Sequence, residues 1–81
     1  MKTPRDLSGV DLIKALQVFG YSPVRQSGSH VQLVTQKNGE HHLTIPLHSP
    51  LRIGTLNRIL SLAAEHLLIS KSELVERISR V

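Results

Sequence analysis

Apolar positions along this chain keep a helical period, switch to a period of two, and then return to a helical one. Val10, Ile13, Leu16 and Phe19 form a helical stripe that Leu12, Ala15 and Val18 widen. Ser8 stands as the N-cap with Asp11 three residues on, a capping box, and Leu7 and Leu12 are spaced as a hydrophobic staple. Gly20 is a natural stop, because a residue in the left-handed region commonly ends a helix. From Ser22 the alternation is that of strands. Residues 22–26 read as a short first strand, with Pro23 marking a sheet edge or strand start. Ser27-Gly28 reads as a turn, and residues 29–36 alternate with Val31 and Leu33 on one face. Asn38-Gly39 is a strong turn signal, after which 41–48 alternate with Leu43, Ile45 and Leu47 on one face. A second helix is expected over roughly 53–66, with Leu56, Ile59, Leu60 and Ala63 as its stripe. A short third helix starts at Ser70, where Ser70 and Glu73 repeat the capping box and Ile69 and Leu74 repeat the staple. Its Leu74, Val75 and Ile78 are expected to face the body. The order α-β-β-β-α-α predicts an α+β fold, with helices on one face of a three-stranded antiparallel sheet.

Strand register follows from burial. A Ser27-Gly28 loop sets Val24 opposite Val31 and Arg25 opposite His30. A strict two-residue Asn38-Gly39 turn would put Leu43, Ile45 and Leu47 on the wrong face, and such a one-residue slip is costly. An odd loop from Asn38 to Glu40 repairs the parity and pairs Val31 with Leu47 and Leu33 with Ile45. Arg25, His30 and His48 then form one row across the open face, with directly opposed Cβ atoms about 4.5–5.5 Å apart.

Composition narrows the chemistry. At 81 residues the chain reads as one domain over 1–81, with a core too small for a deep internal cavity. There is no cysteine, so neither a disulfide framework nor a thiolate metal site is available. No apolar run is long enough to cross a membrane and the N-terminus lacks the apolar core of a signal peptide, so a cytoplasmic protein is expected. The formal charge is +4. Its excess falls in the first sixty residues, where Lys2, Arg5, Lys14, Arg25, Lys37, Arg52 and Arg58 face Asp6, Asp11 and Glu40; Lys71, Arg77 and Arg80 are balanced by Glu65, Glu73 and Glu76. A basic body suits a polyanion or an acidic protein. Aromatic residues are limited to Phe19 and Tyr21, which argues against single-strand binding by base stacking.

His30 is the leading candidate for chemistry. Imidazole accepts and donates protons near neutral pH. A tight turn at Gly28 would deliver His30 to the start of a strand, where Arg25 beside it biases the imidazole toward its neutral, basic form and offers a guanidinium fork to a phosphodiester. His48 is a candidate second acid–base group. A lone histidine on a strand is more often an ordinary surface residue, so the case rests on the combination. His41 and His42 are adjacent on a strand and point to opposite faces, which makes a shared metal ion improbable. They read as solvated histidines of the hairpin tip. Neither metal nor cofactor is expected.

The run Arg25-Gln26-Ser27-Gly28-Ser29-His30, then Ile45-Pro46-Leu47-His48, then Thr55-Leu56 and Ile59-Leu60, resembles the HicA-type (YcfA-like) toxin family over roughly residues 8–80. The resemblance implies a double-stranded-RNA-binding-domain-like fold, α-β-β-β-α, with residues 67–81 as a C-terminal helical extension. It implies a toxin of a type II toxin–antitoxin system that cleaves mRNA without a metal, a catalytic histidine at His30, and a HicB-type antitoxin as protein partner. Arg25, Gly28, Ser29 and Lys37 are the expected RNA-binding residues. Gly28 shapes the turn, and Ser29 is a turn residue or a phosphate contact. His48 or water would supply the second proton. The alternative is a non-catalytic RNA-binding module of the same fold.

Overall fold

The computed structural model describes residues 7–79. Lys2, Arg5, Asp6 and Arg80, counted above in the charge balance, lie outside the described residues. The elements are α1 (Gly9–Val18), β1 (Ser22–Ser27), β2 (His30–Thr35), β3 (His41–Pro46), α2 (Ile53–Leu67) and α3 (Lys71–Ile78). The strands form one antiparallel sheet in the order β1-β2-β3. The α+β architecture is the expected one.

Two of the helix starts follow from their caps. The Ser8 hydroxyl oxygen accepts the Asp11 N–H at 3.0 Å, and Ser70 does the same for Glu73 at 3.0 Å. An acidic residue in each first turn also complements the helix dipole. The start of α2 differs. Arg52 at its N-cap makes no side-chain cap and its first turn holds no acid. Gly20, at φ +102°, follows α1 in the left-handed region that glycine adopts at little cost.

Leu12, Leu16, Leu33, Ile45, Leu56 and Leu60 are fully buried between the helices and one sheet face. α3 closes the core with Leu74, Val75 and Ile78, and its Arg77 guanidinium lies over the Phe19 ring, 5.9 Å from the centroid. The stripe of α1 is rotated from the expected one. Leu12, Ala15, Leu16 and Phe19 are buried, whereas Val10 and Val18 are exposed.

Both hairpins correct the expected register. In the first, Ser27 pairs with His30, Gln26 with Val31 and Arg25 with Gln32. The loop is therefore Gly28-Ser29, and the register slips between Pro23 and Arg25. Val24 is not opposite Val31, and Arg25 is not opposite His30. In the second, Val31 pairs with Ile45, Leu33 with Leu43 and Thr35 with His41, which leaves residues 36–40 as the loop. The parity is the expected one, but the pairing is shifted by two residues. A local hydrogen bond accounts for the longer loop: the Thr35 hydroxyl oxygen accepts the Lys37 N–H at 3.1 Å and turns the chain before Asn38.

Three backbone hydrogen bonds tie one end of the molecule together. Leu47 N–H donates to the Ser29 carbonyl (2.7 Å), Gly9 N–H to the His48 carbonyl (2.9 Å) and Leu51 N–H to the Leu7 carbonyl (2.9 Å). The start of α1 is thereby pressed against the exit of β3, so closely that a Cβ on Gly9 would collide with the Pro46 carbonyl. Ala normally improves a helix over Gly. Here Gly9→Ala is expected to destabilise by about 1–3 kcal/mol, as overpacking does. Gly54→Ala, whose Cβ would meet open space, is expected to stabilise by up to about 1 kcal/mol. Urea denaturation of the two variants checks this, and equal effects would contradict the tight contact.

Candidate active site and nucleic-acid interface

His30 opens β2 and is exposed on the sheet face that no helix covers. Gly28, at φ +59°, takes the first central position of the two-residue turn that sets this orientation, where a type II′ turn needs glycine. The Gln26 side-chain amide braces the turn by donating to the Gly28 carbonyl at 3.1 Å. Ser29 holds the turn to the β3 exit through its carbonyl bond from Leu47.

Pairing and alternation give the open face three rows. Ser27, His30 and Pro46 make the first, Arg25, Gln32 and Thr44 the second, and Ser22, Val34 and His42 the third. Arg25 shares the face of His30 but lies diagonally, at the spacing of about 7–8 Å typical of such neighbours. The expected row of Arg25, His30 and His48 is not formed. Pro46 stands opposite His30, and His48 lies two residues beyond it, exposed, past the end of β3. The hydrogen bond from Gly9 fixes the His48 backbone at the same end of the sheet. Lys37 is placed apart from these residues. It lies beyond the far end of β2, roughly 16 Å along a strand of that length.

The end that carries His30 is also where α1 and α2 begin. The three backbone bonds join the Gly28-Ser29 turn, His48, the start of α1 and the lead-in to α2. Arg52 stands at the uncapped start of α2. The α1 start is occupied by its Ser8 cap, its bond to His48 and the acid Asp11, whereas the α2 start has no side-chain cap and no acid in its first turn, so the α2 start is the part of this rim suited to an anion beside the two exposed imidazoles.

Gln32 and Thr44, between Arg25 and the edge of the sheet, are open-face residues that the sequence reading missed. Strand alternation alone puts both on that face; the corrected register sets them in one row with Arg25.

A second polar cluster lies at the opposite end. His41 is half-buried, not a solvated tip residue. Its Nδ1 is 2.8 Å from the Tyr21 hydroxyl, and its ring stacks on His66 with centroids 4.2 Å apart. His66 Nε2–H donates to the carbonyls of Lys37 (2.7 Å) and Gly39 (3.0 Å), tying α2 to the β2–β3 loop. Burial pushes the Tyr21 phenol up to about 12, so it stays neutral and can donate. Burial first, then the charges of His66 and His42, hold His41 below its ordinary value, and Glu65 opposes them weakly. Both shifts favour a neutral His41 with a bare Nδ1 accepting from Tyr21. Strand alternation does place His41 on the Leu43 and Ile45 face, a signal that could have found its burial. His42, on the other face, is exposed and pairs with Glu40 at 2.7 Å, which lowers the Glu40 carboxyl. Among the described residues, no three His, Asp or Glu side chains are arranged to hold a metal ion.

The family model for the HicA toxin of bacterial toxin–antitoxin systems matches residues 9–64. The chain belongs to the HicA toxin family. That stretch runs from the first residue of α1 into α2, and it includes His30, His48 and the three strands. Membership makes the protein a toxin of a toxin–antitoxin system and implies an antitoxin partner. No match was found among curated proteins or among solved structures. No helix among the described residues is long and apolar enough to cross a membrane.

Because the folded state holds His41 below about 6.5, the unfolded chain takes up its proton first as pH falls. Stability is therefore expected to be constant in this respect above pH 7 and to decline as pH drops through about 6.5. The urea midpoint should be lower at pH 5.5 than at pH 7.5, and the difference should shrink in His41→Gln. A midpoint that rises on acidification would contradict the assigned neutral form.

Proposed function

We propose that this protein is a metal-independent endoribonuclease that cleaves mRNA, acts in the cytoplasm, and is neutralised by a HicB-type antitoxin. The observation that carries the reading is an exposed His30 on the open sheet face, held by a glycine turn at the rim where His48 and two helix starts meet. Family membership supports it independently.

RNA supplies its own nucleophile, so the protein need only move protons and bind phosphate. In the proposed reaction neutral His30 removes the 2′-OH proton. The 2′-oxygen attacks the adjacent phosphorus, and the bond to the 5′-oxygen breaks. His48 or water protonates that leaving oxygen, giving a 2′,3′-cyclic phosphate and a 5′-hydroxyl. Arg25, diagonal to His30, offsets charge on the phosphoryl oxygens or binds the neighbouring phosphate. The Ser29 hydroxyl and the Gly28 turn lie against the backbone at the scissile step. Lys37, at the far end of β2, contacts phosphate away from it. An A-form duplex segment suits the reading, since such RNA is gripped by backbone and 2′-OH contacts rather than by stacking.

Cleavage of a structured mRNA fragment in EDTA tests this. The wild-type protein is expected to cleave and to leave cyclic phosphate ends. His30→Ala is expected to lose activity by about 10²–10⁴-fold, the usual contribution of one acid–base group. A loss of about a hundredfold in His48→Ala assigns it the second proton, and an unchanged rate assigns that proton to water. Activity abolished by chelator, or retained in His30→Ala, defeats the scheme. RNA binding without new ends would leave the protein a binding module.

A further inference from the structure

The two edges of the sheet differ. β1 is guarded by Pro23, which has no N–H, and by the register slip beside Val24. β3 has no such device from His41 to Ile45. Its hydrogen-bond phase follows from one contact. Leu47 donates to the Ser29 carbonyl, and continuing the β2–β3 register makes these two residues opposed. Opposed pairs alternate between bonded and non-bonded. Ile45, Leu43 and His41 therefore bond inward to β2, whereas Pro46, Thr44 and His42 do not. Pro46 fits this phase because it has no N–H to offer. The main-chain N–H and C=O of Thr44 and His42 point out across the free edge. The outward Pro46 carbonyl is covered by Gly9.

A groove of about 330 Å³ runs beside that edge. It is lined by His42, Leu43 and Thr44 of β3 and by Thr55, Arg58, Ile59 and Leu62 of α2. Consecutive strand residues face opposite sides, so a cavity touching three in a row lies off the edge rather than on a face. Leu62 is 42 % exposed there. Arg58 is exposed and takes part in neither of the ion pairs found among the described residues.

We propose that this edge and groove take an extended, acidic segment of a partner protein, added to β3 as a fourth strand with a carboxylate on Arg58 and an aliphatic side chain against Leu62. Strand addition supplies main-chain hydrogen bonds, and the groove selects the side chains. The acidic character follows from the unpaired Arg58 and the +4 charge of the chain. A second copy fits less well, because it would bring two +4 chains together. Only the identity of the partner, an antitoxin, rests on family membership. The docking geometry uses the outward main-chain groups of the β3 edge and not His30, so it fails or stands apart from the nuclease reading.

A displayed library of random dodecapeptides, selected on the immobilised full chain, tests the proposal. Enriched peptides are expected to alternate β-branched and polar residues and to carry acidic ones. They should bind Thr44→Pro and Arg58→Glu at least about tenfold more weakly, while both variants keep the wild-type circular dichroism. Thr44→Pro removes only an outward N–H; if it fails to fold, Arg58→Glu carries the comparison. No enrichment over bare support, enrichment of basic peptides, or equal binding to the folded variants overturns the proposal. A wild-type dimer by light scattering that Arg58→Glu or Thr44→Pro alters would assign the edge to a second copy and overturn it as well.

Discussion

The close approach of the α1 start to the β3 exit is the constraint on which the functional end depends. Gly9 lies where no side chain fits, and its N–H reaches the His48 carbonyl. That bond holds the chain just past the end of β3, fixes the backbone of one candidate histidine and ties the start of α1 to it. The neighbouring bond from Leu47 to Ser29 carries the same order to the turn below His30. The third, from Leu51 to Leu7, brings in the chain that leads to α2. An imidazole on an exposed strand is common. What sets His30 apart is that its turn is held by backbone bonds to the same rim from which two helices start.

The caps at Ser8 and Ser70, the stop at Gly20, the strand order and the burial parity of β2 and β3 were legible in the sequence because each is local or set by a strict period. Across β2–β3 the register was legible only to its parity, and at the start of β1 the slip between Pro23 and Arg25 breaks the parity too. A shift of two residues keeps every side chain on its face, so hydrophobic alternation does not resist it. The deciding interactions were the Thr35 hydroxyl accepting the Lys37 N–H and the Gly28-Ser29 turn. Either local bond moves the pairing without changing the apolar pattern. The site suffered accordingly: His30 was found on the expected face, but its partner across the sheet is Pro46 and Arg25 is diagonal. The stacking of His41 on His66 joins residues of different elements and was visible only in part, through the side of the strand on which His41 stands. The rotation of the α1 stripe was hidden because Val10 and Val18 are as apolar as the residues that were buried.

The molecule separates its polar surfaces by position. One end gathers His30, His48 and the starts of α1 and α2, the proposed meeting place with a phosphate backbone. The opposite end is a latch in which Tyr21, His41 and His66 hold the β2–β3 loop to α2, and burial there favours the neutral form of His41. Between them runs the β3 edge, whose outward main-chain groups are the proposed seat of a peptide strand. A toxin needs both kinds of surface, one for its substrate and one for its inhibitor, and they need not coincide.

Whether the His30 imidazole meets the RNA backbone is most directly read by titrating the protein with an RNA duplex bearing 2′-O-methyl groups, which binds without being cleaved, and following the histidine ring signals by NMR. The account predicts that the His30 and His48 rings shift together, at one affinity, while the stacked His41 and His66 rings stay in place. Binding that moves other residues and leaves His30 unchanged would contradict it.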